Sequence, residues 1–399
     1  MPRNADVIVV GLGAMGSATL RAIARRGLRV VGIDRFAPPH DRGSSHGDSR
    51  IIREAYFEHP SYVPLVQRAY LLWDEIARES GRTLFTRTGG VMVGPPDGVL
   101  VRGALASARE HGLAHELLDA AGIAVRAPAF RPRADWVGVW EPNAGVLRPE
   151  PAIEAMLATA RAHGAVVRTG EVVASWRANG AGVEVRTDRG VHRAGQLVLA
   201  AGAWMPRLVP ELPLRPERRV LFWFETVGAR TAHDDSPISI WEHGAAQYFY
   251  AFPRSERGVK VAHHDTGGTT DPDRLDREVR PEEVAVMRAL LQEYMPFASG
   301  PLLSSTVCMY TMTPDEDFVI DRHPMYERVV IASPCSGHGF KFAPAIGEAI
   351  SDLVVEGWTR HDLRRFAANR WNSFPGAPST TTTTTTTTTT PTAAAPGPA

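Results

Sequence analysis

The residues best suited to chemistry in this sequence are three closely spaced glycines and a carboxylate that follows them. Gly11, Gly13 and Gly16 lie between an apolar run and a helical pattern, and Asp34 follows eighteen residues after Gly16. This GxGxxG spacing allows a tight turn, close approach of a pyrophosphate and oriented N–H donors at a helix N-terminus. Asp34 would accept a hydrogen bond from a ribose hydroxyl, which argues against the 2′-phosphate of NADP. The spacing predicts a dinucleotide-binding turn; a glycine-rich turn without a ligand is the alternative.

The elements around the glycines predict a parallel sheet. Asp6–Val10 and Arg29–Ile33 are apolar runs rich in β-branched residues, and Ser17–Arg26 between them has a helical pattern. A strand, helix, strand unit of this length implies parallel strands covered on both faces. We therefore predict an α/β protein with a Rossmann-type domain.

The later part of the chain predicts a second domain. Alternating, aromatic-rich strands such as Arg219–Glu225, Ala246–Phe252 and Gly258–His263 surround one helix near Pro281–Tyr294. This pattern is typical of a mainly antiparallel sheet, so we expect an inserted α+β substrate domain. The assignment is residues 1–80, 146–212 and 312–374 for the dinucleotide-binding domain, 81–145 and 213–311 for the substrate domain, and 375–399 for a disordered tail.

Composition excludes several classes of protein. The 399 residues carry 44 basic and 44 acidic side chains, so no net charge draws the chain to nucleic acid or to an anionic membrane. No segment has the roughly 18–20 apolar residues of a membrane span, and the first apolar stretch is interrupted by glycines and lacks the cleavage site of a secretory signal. Two cysteines make no disulfide scaffold, and no spacing predicts a metal site. We expect a cytoplasmic protein.

Three further segments, taken with the glycines, resemble a known family. They are residues 45–53 (SHGDSRIIR), 308–315 (CMYTMTPD) and 336–342 (SGHGFKF). In this order they resemble the monomeric sarcosine oxidase and N-methyltryptophan oxidase family, within the D-amino-acid-oxidase-like flavoenzymes. The resemblance extends from about Asp6 to Trp371. It implies FAD as the cofactor, bound by a Rossmann-type domain.

The resemblance also implies which residues bind the flavin. Cys308 matches the cysteine that forms a covalent thioether with FAD, and a thiolate is a suitable nucleophile for that bond. The alternative is that Cys308 only packs as a small buried hydrophobic side chain. We assign that packing role to Cys335. The remaining matches, at the flavin edge and in the third segment, are His46, Arg50, Gly337, His338, Gly339 and Lys341.

The substrate side of the site is implied in the same way. Arg53 and Lys341 match cations that hold a substrate carboxylate. Lys260 matches a lysine on the opposite face of the flavin, where a cation stabilises superoxide; an edge-strand lysine is its alternative. His264 matches an active-site histidine, whereas the neighbouring His263 is expected to be structural. The two matching pocket aromatics, whose alternative is core packing, are Tyr250 and Tyr310.

These residues together imply an FAD-dependent amine oxidase. We expect it to oxidise a secondary amino acid, such as sarcosine or another N-methyl amino acid, to an imine that hydrolyses, while O2 is reduced to H2O2. Cyclic imino acids are an alternative substrate class, and a dehydrogenase with another electron acceptor is an alternative reaction. A non-catalytic dinucleotide-binding protein would need the glycines but not Arg53, Lys341 or Cys308. We expect a monomer whose partners are its small amino-acid substrate and O2.

Overall fold

The computed structural model describes residues 5–228, 236–265, 267–334 and 336–374. The expected disordered tail at 375–399 and the packing role of Cys335 lie outside the described residues. The helices are α1 (Ala14–Arg25), α2 (Val63–Ser80), α3 (Val99–Glu110), α4 (Ala120–Arg126), α5 (Pro149–Ala162), α6 (Met205–Leu208), α7 (Pro281–Tyr294) and α8 (Ala343–Glu356). None of these described helices is long and apolar enough to cross a lipid bilayer.

The strands of the described residues fall into three sheets. In chain order they are β1 (Ala5–Val10), β2 (Val30–Asp34), β3 (Arg50–Ile52), β4 (Phe85–Arg87), β5 (Gly90–Gly94), β6 (Glu116–Asp119), β7 (Val137–Glu141), β8 (Gly145–Leu147), β9 (Val166–Thr169), β10 (Val173–Asn179), β11 (Gly182–Thr187), β12 (Gly190–Leu199), β13 (Arg215–Phe224), β14 (Ile238–Gly244), β15 (Gln247–Ser255), β16 (Gly258–His263), β17 (Leu302–Met312), β18 (Val319–His323) and β19 (Tyr326–Ser333).

The first sheet has the parallel centre that the sequence predicts. Its order is β10-β11-β12-β1-β2-β9, with β19 also paired to β12 and β18 to β19. β1 runs parallel to β2 and β12, and β2 runs parallel to β9. Helix α1 packs against α5 and α8, and a Cβ at Gly347 of α8 would lie 2.6 Å from the backbone of Ala18. Helix α1, which begins after the glycine turn, is therefore held in place by its packing against α5 and α8.

The second sheet is mainly antiparallel, as expected for the substrate domain. Its order is β17-β13-β16-β15-β14-β5-β7-β6, and its parallel pair is β5 with β14. One face carries an aromatic core that includes Trp241, Phe249 and Tyr294. The predicted limits of Gly258–His263 and Pro281–Tyr294 agree with β16 and α7, whereas β13 begins four residues before the predicted Arg219.

The third sheet, ordered β3-β8-β4, joins chain segments from both predicted domains. β3 belongs to the segment 1–80 and β4 to the segment 81–145. The assignment of domain boundaries at these points stays a prediction, since this sheet crosses them.

Candidate active site

Two adjoining cavities lie where the first two sheets meet. The larger, about 260 Å³, follows the glycine turn, and the smaller, about 80 Å³, contains most of the predicted substrate residues. Four residues line both cavities: Arg50, Tyr310, Gly337 and Phe340. A group bound in the larger cavity can therefore present one end to the smaller one.

The glycine turn fits a dinucleotide. Gly11 has φ +86°, and a Cβ there would lie 2.5 Å from the carbonyl oxygen of Ala200, so only glycine suits the turn. A Cβ at Gly16 would overlap the carbonyl group of Gly11. Gly13 precedes α1 and lines the cavity, and its nearest atom in that direction is the Ser45 hydroxyl oxygen at 3.6 Å. A phosphate can thus approach the first N–H groups of α1.

Asp34 fixes the turn as well as facing the cavity. Its Oδ2 accepts a hydrogen bond from the N–H of Leu12 at 2.6 Å, and its Oδ1 accepts one from the N–H of Phe36 at 2.7 Å. A carboxylate has about four acceptor positions, so Asp34 keeps capacity for a ribose hydroxyl. The sequence predicts the ribose contact but gave no sign of the bond to Leu12.

The segment after β2 brings Arg50 to the boundary of the two cavities. Its guanidinium donates to the carbonyl oxygens of Ser44, His46 and Ser49, each at 2.7 Å. The His46 ring lines neither cavity; it is buried, and its Nε2 has no hydrogen-bond partner among the described residues. Burial, reinforced by Arg50, lowers the pKa of His46 to about 3, so the imidazole is neutral. Its backbone, rather than its ring, positions Arg50.

Lys260 is buried beneath the same segment. Its Nζ donates to the carbonyl oxygens of Gly47 at 2.6 Å and Ser49 at 2.8 Å, and to the Ser49 hydroxyl at 3.1 Å. These acceptors match the three N–H groups of an ammonium ion. Burial and the charge of Arg50 lower the pKa of Lys260 below its usual range. Lys260 lines neither cavity, and its expected role on the flavin face opposite the substrate stays a prediction.

An ion pair lies in the wall of the smaller cavity. Arg53 is 2% exposed, and its Nη2 donates to both carboxylate oxygens of Glu58, at 2.8 and 2.7 Å. Its Nη1 donates to the carbonyl oxygen of Ala55 at 2.9 Å. Burial opposes ionisation of Glu58, but Arg53, His338 and Lys341 outweigh it and lower the pKa of Glu58 to about 2. The predicted carboxylate-binding arginine therefore already has a carboxylate partner.

Lys341 lines the same cavity as the ion pair. Its Nζ donates to the carbonyl oxygen of His338 at 2.7 Å, and it lies 5.1 Å from the centre of the Tyr56 ring. Burial and the charge of Arg53 lower the pKa of Lys341 to about 7. Its charge is therefore sensitive to a new anion in the cavity.

The second sheet supplies the rest of the cavity wall. Strand alternation directs Tyr250, Cys308, Tyr310 and, just after β16, His264 toward the smaller cavity. The hydroxyl groups of Tyr250 and Tyr310 are 3.5 Å apart. Burial raises the pKa of both tyrosines and lowers that of His264 to about 3, so this wall is uncharged at neutral pH.

The third predicted segment forms a tight turn at the cavity boundary. Gly337 has φ +81°, and a Cβ there would overlap the Tyr310 ring. His338 Nδ1 contacts the Tyr56 hydroxyl group, and its Nε2 lies 3.0 Å from the carbonyl oxygen of Glu316. Burial lowers the pKa of His338 to about 4. A Cβ at Gly339 would overlap the carbonyl group of Pro334. The predicted residues of this segment thus lie together.

Sequence reasoning missed three charged residues that position this site. Glu58 holds Arg53. Glu141, at the end of β7, accepts hydrogen bonds from the N–H groups of Glu54 at 2.6 Å and Ala55 at 2.8 Å, directly after Arg53. Arg219 donates to the carbonyl oxygen of His264 at 3.1 Å, and its guanidinium carbon lies 4.7 Å from the centre of the Tyr310 ring. None of the three belongs to a recognised motif, and only tertiary contacts identify them.

The sequence and fold are similar to those of known flavoenzymes. The family model described as FAD dependent oxidoreductase matches residues 6–353. A monomeric sarcosine oxidase of Streptomyces avermitilis is 43% identical over 379 residues, covering 93% of this chain and 98% of that protein. An N-methyl-L-tryptophan oxidase of Salmonella heidelberg is 34% identical, covering 92% of this chain and 99% of that protein. The solved structure of NikD, an amino acid oxidase of nikkomycin biosynthesis, has a TM-score of 0.80 at 24% identity and covers 92% of this chain and 98% of that one.

Proposed function

Because this chain belongs to the FAD dependent oxidoreductase family, we propose that it oxidises a small N-methyl amino acid, with sarcosine as the first candidate. The products are formaldehyde, the primary amino acid and H2O2, formed from substrate, O2 and one water. The observation that carries the proposal is the small cavity with Arg53 and Lys341 in its wall, adjoining the dinucleotide cavity. Its small volume, about 80 Å³, favours a substrate without a large side chain.

FAD fits the larger cavity and, when bound, supplies the two-electron acceptor. Gly11, Gly13 and Asp34 would hold its dinucleotide part, because the turn leaves the N-terminus of α1 open and Asp34 faces the cavity. Arg50, whose guanidinium has only carbonyl partners at hydrogen-bond distance among the described residues, would face the isoalloxazine end.

Lys341 and Arg53 bind the substrate carboxylate. Glu58 balances much of the charge of Arg53 and fixes its guanidinium plane, so the net attraction for an anion comes mainly from Lys341. A carboxylate beside Nζ raises the pKa of Lys341 and keeps it charged. Binding and protonation of Lys341 therefore support each other.

The uncharged wall favours the neutral form of the substrate amine. Tyr250, Tyr310 and His264 are neutral at pH 7, and the nearby cations disfavour an ammonium group. A neutral amine has the lone pair from which an imine can form, so this environment prepares the substrate for oxidation.

We also propose that Cys308 bonds covalently to the flavin. Cys308 is 2% exposed and lines the smaller cavity beside Leu221, Trp223 and Ala262. It is the free cysteine of the described residues. Acid precipitation of the purified protein should leave the yellow colour in the pellet, and Cys308→Ser should release it to the supernatant. Wild-type protein that loses all colour to the supernatant would disprove the bond.

A peroxide-release assay tests the reaction. We expect H2O2 with sarcosine, less with N-methyl-L-tryptophan, and formaldehyde in equal amount to H2O2. Activity with L-proline or pipecolate but not with N-methyl amino acids would show that the substrate is a cyclic imino acid. Reduction of an artificial electron acceptor without release of H2O2 would show that the protein is a dehydrogenase. No flavin reduction by any of these amines would refute the proposal.

We further propose that the protein acts as a cytoplasmic monomer.

A further inference from the structure

A second group of polar side chains lies on the face of the substrate sheet that is turned away from the cavities. It consists of His243 in β14, His263 at the end of β16, and Asp265, and we call it the histidine cluster. One ligand atom from each lies within 4.8 Å of the others. Because successive strand residues point to opposite faces, His263 points away from the cavity that His264 lines. The cluster is therefore separate from the active site.

The histidine nitrogens of the cluster lack hydrogen-bond partners. Both ring nitrogens of His263 and Nε2 of His243 are buried and unpartnered among the described residues. His263 is only 9% exposed, and the two rings are 6.0 Å apart. Buried polar atoms are satisfied in the large majority of cases, and an unsatisfied one calls for a water or an ion. Each ring therefore has an unpartnered nitrogen, and one ligand atom of each ring lies within 4.8 Å of the other and of the Asp265 carboxylate, which indicates a ligand.

The charges of the cluster suit a cation. Neutral imidazole is the form of histidine that binds a metal, and each ring has a nitrogen without a hydrogen-bond partner among the described residues. Asp265 supplies a negative charge, and its Oδ1 is held by the N–H of Tyr248 at 2.8 Å. Such a bond to a ligating carboxylate fixes its orientation.

We propose that His243, His263 and Asp265 bind one divalent transition-metal ion, with Zn²⁺ as the preferred class. Two imidazoles and a carboxylate are ligands of zinc rather than of Mg²⁺ or Ca²⁺, which prefer oxygen alone. Ligand atoms around a tetrahedral zinc ion lie about 3.3 Å apart, so small side-chain rotations close the site. Water completes the coordination. The sequence predicted no metal, since the two histidines are twenty residues apart and follow no ligand spacing.

The metal would join β14 and β16 across the intervening strand β15. Phe249 of β15 pairs with His263, and its ring lies 5.8 Å from that of His243. His264, directly after His263, lines the substrate cavity. The role of the ion is therefore structural, since it fixes the strand end that carries an active-site side chain.

Calorimetric titration of the metal-stripped holoenzyme with Zn²⁺ tests the site. We expect one equivalent to bind, with a rise in Tm of several degrees. His243→Ala and His263→Ala should each weaken binding at least tenfold. His163→Ala is the matched control: His163 is an exposed histidine after α5, far from this sheet in the chain, and its loss should change nothing.

Asp265→Asn keeps the test decisive if a histidine variant does not fold. The substitution removes the negative charge, but the amide oxygen can still accept the hydrogen bond from the N–H of Tyr248. Zinc should therefore bind more weakly, while the flavin absorbance stays unchanged. Wild-type protein that binds no zinc would overturn the proposal. Equal zinc affinities of the wild-type protein and His243→Ala would also overturn it, because the zinc would then be bound by other surface groups.

Discussion

The carboxylate of Glu58 accepts hydrogen bonds at 2.8 and 2.7 Å from a single nitrogen of the buried Arg53 guanidinium. Both side chains lie in the wall of the proposed substrate cavity. An arginine whose charge is balanced in this way is oriented before the substrate arrives. The charge that changes on substrate binding is then that of Lys341 rather than that of Arg53.

Glu58→Gln should destabilise the protein strongly. The substitution leaves a buried guanidinium without its charged partner, which costs about 3–5 kcal/mol. Urea unfolding followed by intrinsic fluorescence measures the loss. Glu293→Gln is the control, because Glu293 pairs with Arg133 at a site where each side chain is about half exposed; it should cost at most about 1 kcal/mol. Equal losses of unfolding free energy in the two variants would show that the buried ion pair stabilises the protein no more than an exposed one.

Binding of a carboxylate inhibitor such as acetate should weaken as the pH rises above 7. Burial and Arg53 lower the pKa of Lys341 to about 7, so the free enzyme loses this cation above that pH. The anion raises the pKa in the complex, and between the two values the affinity falls by up to about tenfold per pH unit. Flavin absorbance titrations measure the affinity.

Lys341→Met is the companion variant for this pH dependence. It should bind acetate weakly and with less change between about pH 6 and pH 9, because the other group with a pKa near 7, Glu141, lies behind the backbone next to Arg53 and does not line the cavity. A pH profile that keeps its slope in Lys341→Met would assign the titration to another residue.

Gly337→Ala should lower the flavin content of the purified protein. The added Cβ overlaps the Tyr310 ring, which lines both cavities. Gly357→Ala is a matched control: its φ is +85° against +81° for Gly337, but its nearest neighbouring atom is 4.0 Å away. Both variants bear a backbone cost of about 1–2 kcal/mol. The ratio of flavin to protein absorbance should fall in Gly337→Ala alone, and an equal fall would assign the effect to backbone strain.

Lys260→Met should slow the reaction of the reduced enzyme with O2 by about a hundredfold, the usual scale for removing one group that stabilises a developing anion. Anaerobic reduction by substrate should keep its rate, since Lys260 does not line the substrate cavity. Stopped-flow absorbance separates the two steps. Should the O2 step be unaffected, Lys260 would be a structural residue that binds the segment containing Gly47 and Ser49.

The sequence predicts best those parts of the site whose chemistry depends on local geometry. Gly11, Gly13, Gly16 and Asp34 act within one strand, helix, strand unit, so their spacing alone fixes their arrangement. The limits of β16 and α7 are predicted for the same reason, since alternation and a proline at the helix start are local signals.

The parts that the sequence could not predict depend on contacts between distant segments. Glu141 binds the backbone next to Arg53 from 86 and 87 residues away, and Arg219 reaches His264 over 45 residues. An isolated acidic residue such as Glu58 is normally a solvated surface charge, so nothing in the pattern separates it from the others. For the same reason, the histidine cluster forms only when β14 and β16 enter one sheet.

The order of strands in the first sheet sets when the cofactor can be acquired during synthesis. β19 pairs with β12, and Ser333, Pro334, Gly337 and Gly339 complete the larger cavity. These residues are synthesised long after the glycine turn, so the cavity lacks this part of its wall until they are made. The larger cavity is therefore closed only after β19 has joined the sheet, and the glycine turn with its own strands cannot enclose FAD without the C-terminal segment.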